Sequence, residues 1–348
     1  MMNKFINCFI VIIISILLSD NFFAQSSFQS DSFKILFYNT ENFFDYFDDP
    51  FTNDNDFTPK GIKHWTKNKY EKKRNNLYKI FVSAGSSEPP CLIGLCEIEN
   101  DYVLKDLLYN TPFAKYNYRY IHKNSPDERG IDVALLYNPL MINVIDYKYF
   151  QVKSELNIKL KTRDILYCKL KFSDIDTFHF FINHWPSRRG GQTKSEINRI
   201  IAAKILRNKI DSLFEINVNP KIIIMGDFND EPDDISLTEY LKVKKINANI
   251  KSNELYNLSK ITENSNANGT IKYQSNWYVF DQIIVSGNLL NSTERPYIAP
   301  DSYKIINNDF LMTEDEKYTG YKIFSTYSGY KYQGGFSDHL PVSILIKF

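Results

Sequence analysis

The chain has 348 residues, with 42 Lys and Arg against 41 Asp and Glu, for a formal net charge of +1. At 43% hydrophobic and 24% charged residues it has a globular composition, which excludes a disordered chain and a uniformly basic nucleic-acid binder; any basic surface must be local. The length permits one large core or two modest ones.

At the N-terminus Lys4 provides a positive start. Phe9 to Leu18 is an apolar run too short to span a bilayer comfortably, Ser19-Asp20-Asn21 ends it, and Ala24 offers a cleavage point. The pattern predicts a signal peptide over 1–24 rather than an uncut anchor, with export to the periplasm or medium. It predicts no transmembrane segment in the mature chain. A polar, flexible leader is expected over 25–32 and a single domain over 33–348, because neither an internal repeat nor a low-complexity linker divides the rest. Cys91, Cys96 and Cys168 are too few and too sparse for a disulfide framework and are expected as buried thiols.

Apolar runs of strand length then recur in order. They cover Phe33–Tyr38, Cys91–Cys96, Ile131–Tyr137, Ile165–Phe172, Thr177–Ile182, Lys221–Met225, Val279–Val285 and Pro341–Lys347. Helices are predicted from Trp65 to Phe81 and from Lys194 to Phe214, the second with Ile197, Ile201, Leu206, Ile210 and Leu213 near one face. Several continuous apolar strands imply sheets covered on both sides, so two packed sheets flanked by helices are expected.

Polar groups follow these runs closely. Asn39, Glu97, His184 and Asp227 each stand at or just past a strand end, where rigid elements mount functional groups. Glu97 directly after a buried run must be paired, metal-bound or turned to solvent. Asp227 and Asn229 are two apart beside Gly226, so both can point one way; a simple turn is the alternative. His184 precedes Arg188, Arg189 and two glycines, a loop of donors suited to phosphate oxygens, or else a structural histidine beside a solvated arginine pair. Asp281 lies inside an apolar run and needs a partner, for which a site histidine is the natural candidate. Asp338-His339 before the last strand can divide metal binding and proton exchange, or can be a cap and a surface histidine.

Two further stretches carry weaker signals. Asp48, Asp49, Asp54 and Asp56 offer oxygen ligands for a structural Ca²⁺, but their spacing is not that of a helix–loop–helix calcium loop, and a solvated loop is expected. Residues 288–335 carry Tyr318, Tyr321, Phe324, Tyr327, Tyr330 and Tyr332, which can stack bases or simply pack.

As an ordered set, FYNTEN, GLCEIEN, NHWPS, GDFND, VFDQIIV and GFSDHLPV resemble the endonuclease/exonuclease/phosphatase superfamily over nearly the whole mature chain. The resemblance implies an α/β (α+β) four-layer sandwich, two packed and mostly antiparallel β-sheets between helices. It implies hydrolysis of a phosphoester by in-line attack of water with Mg²⁺ or Mn²⁺. In that reading Glu97, helped by Asn39 and Asp338, holds the metal. His184 and Asn229 hold phosphate oxygens, joined by Arg188 and Arg189. Asp227 positions or deprotonates the water. His339, oriented by Asp281, is base or positive partner of the phosphate. Asp132 is a loose candidate for orienting His184, with a surface position or a pairing to Arg129 as the alternative. The activity expected is that of an exported nuclease acting on nucleic acid as a monomer without a stable protein partner. A phospholipid or inositol-phosphate esterase, or an inactive binding module of the same fold, are the alternatives. Tyr38 departs from the abasic-site enzymes, which carry Trp beside the first Asn.

Overall fold

Residues 32–85, 88–153, 160–172, 176–259 and 269–348 are described by the computed structural model. The expected signal peptide, and the leader up to residue 31, lie outside the described residues.

The first part supplies β1 (Ser32–Phe43), α1 (Lys67–Ala84), β2 (Leu92–Ile98), α2 (Asp101–Tyr109), β3 (Arg119–His122) and β4 (Asp132–Tyr137). Next come β5 (Ile142–Phe150), β6 (Ile165–Phe172), β7 (Asp176–His184), α3 (Gln192–Ile216), β8 (Lys221–Asp227), β9 (Val243–Lys245) and β10 (Leu255–Asn257). A small hairpin, β11 (Ile271–Tyr273) with β12 (Asn276–Tyr278), leads to β13 (Asp281–Ser286), β14 (Tyr297–Ile298) and β15 (Lys304–Ile305). Two further hairpins, β16 (Met312–Glu314) with β17 (Tyr321–Ile323) and β18 (Tyr327–Ser328) with β19 (Lys331–Tyr332), precede β20 (Val342–Lys347).

One seven-stranded sheet runs β14-β20-β1-β2-β4-β3, with β15 also on β20; the other runs β5-β6-β7-β8-β13-β10-β9. Near its centre each sheet holds one parallel pair, β1 with β2 and β7 with β8. A helix, α1 or α3, lies between the paired strands in sequence, as a parallel connection requires. Most other pairings are antiparallel, so the sheets are mixed with an antiparallel majority, as expected.

Side-chain alternation sets the layers. Ile35 and Phe37 of β1 join Ile182, Ile223 and Met225 in the core between the sheets. Leu36 and Tyr38 face the other way, against Leu77 and Phe81 of α1 and Leu104 and Leu107 of α2. On the second sheet Phe181, Ile222 and Ile224 face outward, against Ala202, Leu206 and Ile210 of α3. Helix, sheet, sheet and helix therefore stack as four layers. Cys91, Cys96 and Cys168 are free and buried. No helix among the described residues is long and apolar enough to cross a membrane.

Two irregularities shape the functional edge. The β1–β2 register shifts between Asn39 and Phe43, and Glu41 and Asn42 both have φ of 52°. In β2 the pairing with β4 shifts between Cys96 and Ile98, leaving Glu97 at φ 61°. Such bulges re-aim single side chains out of a ladder, and left-handed non-glycine residues cluster at functional sites.

Candidate active site

The parallel pairs bring four strand ends to one edge of the sandwich. Asn39 on β1 is opposite Cys96 on β2, next to Glu97. His184 and Asp227 are opposite each other at the ends of β7 and β8, and Asp281 starts β13 opposite Asp227. The chain returns beside them at His339, just before β20.

Asp227 is the centre of this set. Its Oδ2 accepts from Asn39 Nδ2 at 3.0 Å. The same oxygen lies 3.6 Å from His184 Nε2 and 3.9 Å from His339 Nε2. Its Oδ1 accepts from the Asn229 backbone N–H at 2.9 Å. Asn229, at φ 51°, donates Nδ2 to the Trp185 carbonyl at 3.0 Å, which holds its amide at the rim of the set. Glu97 Oε1 lies 3.9 Å from His184 Nε2, while Glu97 Oε2 accepts from the Asn42 backbone N–H at 2.8 Å. Asp338 is exposed at the mouth.

His339 Nδ1 lies 2.6 Å from Asp281 Oδ2. Burial pulls the His339 imidazole down, but Asp281 and Asp227 outweigh it and hold it well above its ordinary value. His184 goes the other way: burial, with repulsion from Arg163, Arg129 and His339, keeps it well below. Burial also pushes Asp227 up to about 7, opposed by His339 and reinforced by Asp281. The site thus holds one cationic and one neutral histidine around a carboxylate of raised basicity.

The donor set fits a hard cation in an open site. Among the described residues, no three His, Cys, Asp or Glu side chains form a preformed metal cage. Glu97 is close enough for its charge to help raise the carboxyls of Asp227 and Asp338. One or two carboxylates with an amide oxygen and several waters is the coordination Mg²⁺ favours. A closed nitrogen–sulfur cage for Zn²⁺ has no counterpart here.

Several expected assignments change. Asp132 does not reach His184. Its carboxylate is 3.2 Å from His122 Nε2 and accepts from the Ser125 N–H at 2.7 Å, and His122 Nδ1 is 3.0 Å from Asp101. The His184 Nδ1 has no hydrogen-bond partner among the described residues. Arg188 turns inward: Nε donates to the Asn229 carbonyl at 2.8 Å, and its Nη2 meets Asp230 at 3.1 Å and Asp234 at 2.5 Å. It therefore braces the loop rather than facing a phosphate, whereas Arg189 is exposed. The four loop aspartates do not converge as a calcium site. Asp48 and Asp56 are exposed, and Asp54 is buried, accepting from the Asp49 N–H at 3.1 Å. Of the late aromatics, Phe324 and Tyr327 pack against the outer face of the first sheet, while Tyr330 is exposed.

Three residues absent from the sequence reading border the site. Arg163 donates to the carbonyls of His184 at 3.2 Å and Trp185 at 2.5 Å and pairs with Asp127 at 3.0 Å. Glu41 and Lys73 are buried behind Asn39 and Asp338. Glu41 had a signal in lying two residues past Asn39; Lys73 had none among the lysines of its helix.

A model of the Endonuclease/Exonuclease/phosphatase family matches residues 34–347. No curated protein matches the sequence. The structure is similar to an endonuclease/exonuclease/phosphatase family protein from Bacteroides thetaiotaomicron, at 17% identity over 90% of this chain and 97% of that one, with a TM-score of 0.56. It is similar to a mannosyl-6-phosphatase from the same organism at 16% identity, 91% and 100% coverage and a TM-score of 0.55. It is also similar to D. rerio TDP2 complexed with a single-strand DNA product, at 13% identity, 91% and 99% coverage and a TM-score of 0.52.

Proposed function

The chain belongs to the endonuclease/exonuclease/phosphatase family, whose members hydrolyse phosphoester bonds, and on that premise we propose that it is an exported, divalent-metal-dependent nuclease. The observation that carries the phosphoester chemistry is the ring of donors around Asp227, with Asn39, His184 and His339 all within 4 Å of one carboxylate oxygen.

Each residue has work that follows from its surroundings. Asp227, with its raised basicity, orients the attacking water and takes its proton. His339, kept cationic by Asp281, faces the phosphate as a fixed positive charge. His184 is neutral, and its Nε2 holds a phosphate oxygen without adding a second buried charge. Asn229 offers its remaining amide N–H to the same group. Glu97, with Asn39 and Asp338, would hold Mg²⁺ or Mn²⁺, which supplies charge stabilisation at the phosphate and the leaving oxygen.

Support for a polymeric substrate comes from the exposed basic residues Arg189, on the loop after His184, and Lys194, in the first turn of α3. Support for export is the N-terminal pattern of Lys4, the apolar run and Ala24. The likeness to a mannosyl-6-phosphatase raises a phosphomonoesterase as the second reading.

The test is to incubate the chain from Gln25 onward with plasmid DNA, RNA, sphingomyelin and a sugar monophosphate, each with Mg²⁺, Mn²⁺ or EDTA. Metal-dependent nicking or degradation of nucleic acid is the expected result. Cleavage of lipid or monophosphate alone overturns the nuclease reading and keeps the phosphoesterase. Turnover that survives EDTA overturns the metal dependence.

A further inference from the structure

The segment from Phe324 to Ser337 forms a strap that delivers Asp338 and His339 to the site, and it is gripped from beneath by buried polar groups. Glu41 accepts from the Thr326 N–H at 2.6 Å and the Tyr327 N–H at 3.0 Å. Lys73 donates to Thr326 Oγ1 at 2.6 Å and the Phe336 carbonyl at 2.5 Å, and lies 4.0 Å from Glu41. One turn further along α1, Asn76 donates to the carbonyls of Gly334 at 3.2 Å and Gly335 at 2.7 Å. Ser337 closes the strap, donating to the Asn39 carbonyl at 2.8 Å and accepting from the His339 N–H at 3.1 Å. Gly335 has no room for a side chain, since a Cβ would sit 2.1 Å from the Phe324 carbonyl oxygen.

A lysine with a fully buried side chain is costly unless its charge is answered and its donors are used. Here the answering charges are Glu41 and, at longer range, Asp338 and Glu97. Both ends of the pair are spent on the strap, and neither is placed to touch a substrate. We propose that Glu41 and Lys73 are positioning residues that lock the strap and thereby set Asp338 and His339 against Asn39 and Asp281.

One of the two readouts rests on the metal-dependent reading above; the other does not. The first is the low-field proton resonance of the short His339–Asp281 hydrogen bond, identified by its absence in Asp281→Asn and read without metal. The second is Mn²⁺ affinity by calorimetry. Lys73→Met and Asn76→Ala are both expected to shift or broaden the resonance. They are also expected to weaken Mn²⁺ binding, by about 10- to 100-fold for Lys73→Met. Simple charge removal predicts the reverse sign, because losing a cation beside Glu97 and Asp338 tightens a metal site. An unmoved resonance in both variants, or Mn²⁺ binding unchanged or tighter in Lys73→Met, overturns the proposal. If circular dichroism shows Lys73→Met unfolded, the uncharged Asn76→Ala decides by the same criteria. If the unmodified protein binds no Mn²⁺, the metal reading falls and the proton resonance alone judges the strap.

Discussion

Asp281 Oδ2 lies 2.6 Å from His339 Nδ1, with both side chains buried and Asp281 starting the strand that pairs with Asp227. The carboxylate fixes the ring orientation and leaves Nε2 directed toward Asp227, 3.9 Å from its Oδ2. Asp281→Asn keeps the shape and removes the charge. Turnover of a small phosphodiester is expected to fall about 10²- to 10⁴-fold. A loss below threefold in steady-state kinetics would remove His339 from the reaction.

Arg188 and Arg189 are adjacent in sequence and divided in role. Arg189→Ala is expected to leave thermal stability unchanged and to flatten the salt dependence of nucleic-acid binding by roughly one unit of slope. Arg188→Ala is expected to lower the melting temperature, because Asp230 and Asp234 lose a partner. Binding measured from low to high salt, beside melting curves, separates the two; the opposite pattern reverses the assignment.

Asp132 is tied to His122, so its removal should not be felt at His184. Asp132→Asn is expected to cost about 1–3 kcal/mol of stability, the scale for disturbing a buried charged hydrogen bond. Its turnover should stay within a few-fold of the unmodified protein. Denaturant unfolding beside initial rates checks both numbers, and a kinetic loss without a stability loss would restore the orienting role.

Asp106 predicts an acid limit. Burial raises its carboxyl, but donation from Asn110, Arg74 and Tyr70 outweighs that, and the net shift is downward. A carboxyl depressed in the fold contributes stability that is present above its unfolded value near 4 and is lost as pH falls through the folded one. Urea unfolding from pH 7 to pH 3 is therefore expected to show falling stability on the acid side, and Asp106→Asn a shallower fall. Equal slopes for the two proteins would contradict the linkage.

Much of the architecture was legible because it is written locally. The eight apolar runs all became strands of the two sheets, and the two predicted helices became α1 and α3, with ends displaced by a few residues. Asn39, Glu97, His184 and Asp227 stood out for the same reason, since each lies at or just past the end of an apolar run. Edge strand β5 was not legible: most of its residues are exposed, so no apolar run marks it. Helix α2 is only nine residues long and follows the Glu97 motif so closely that its start reads as loop, although Asn100 caps it through Tyr102 and Val103. The misread partners share one cause. Whether Arg188 meets a phosphate or Asp234, and whether Asp132 meets His184 or His122, is decided by contacts between distant segments. Lys73 shows this most strongly, with its ammonium bonded to Thr326 across 253 positions of sequence.

The clustered polar groups ride on opposite plates of a sandwich, Asn39 and Glu97 on one, His184, Asp227 and Asp281 on the other. The thickness of the apolar filling is therefore also the gauge of the site. At Gly94 the plates nearly touch, and a Cβ there would lie 2.8 Å from Met225 Cε and 3.3 Å from Ile182 Cδ1. A methyl group added at that seam would act as a shim, pressing from the first sheet on the tips of Met225 and Ile182 of the second. Its expected symptom is slower turnover together with a lower melting temperature, since overpacking a core costs about 1–3 kcal/mol.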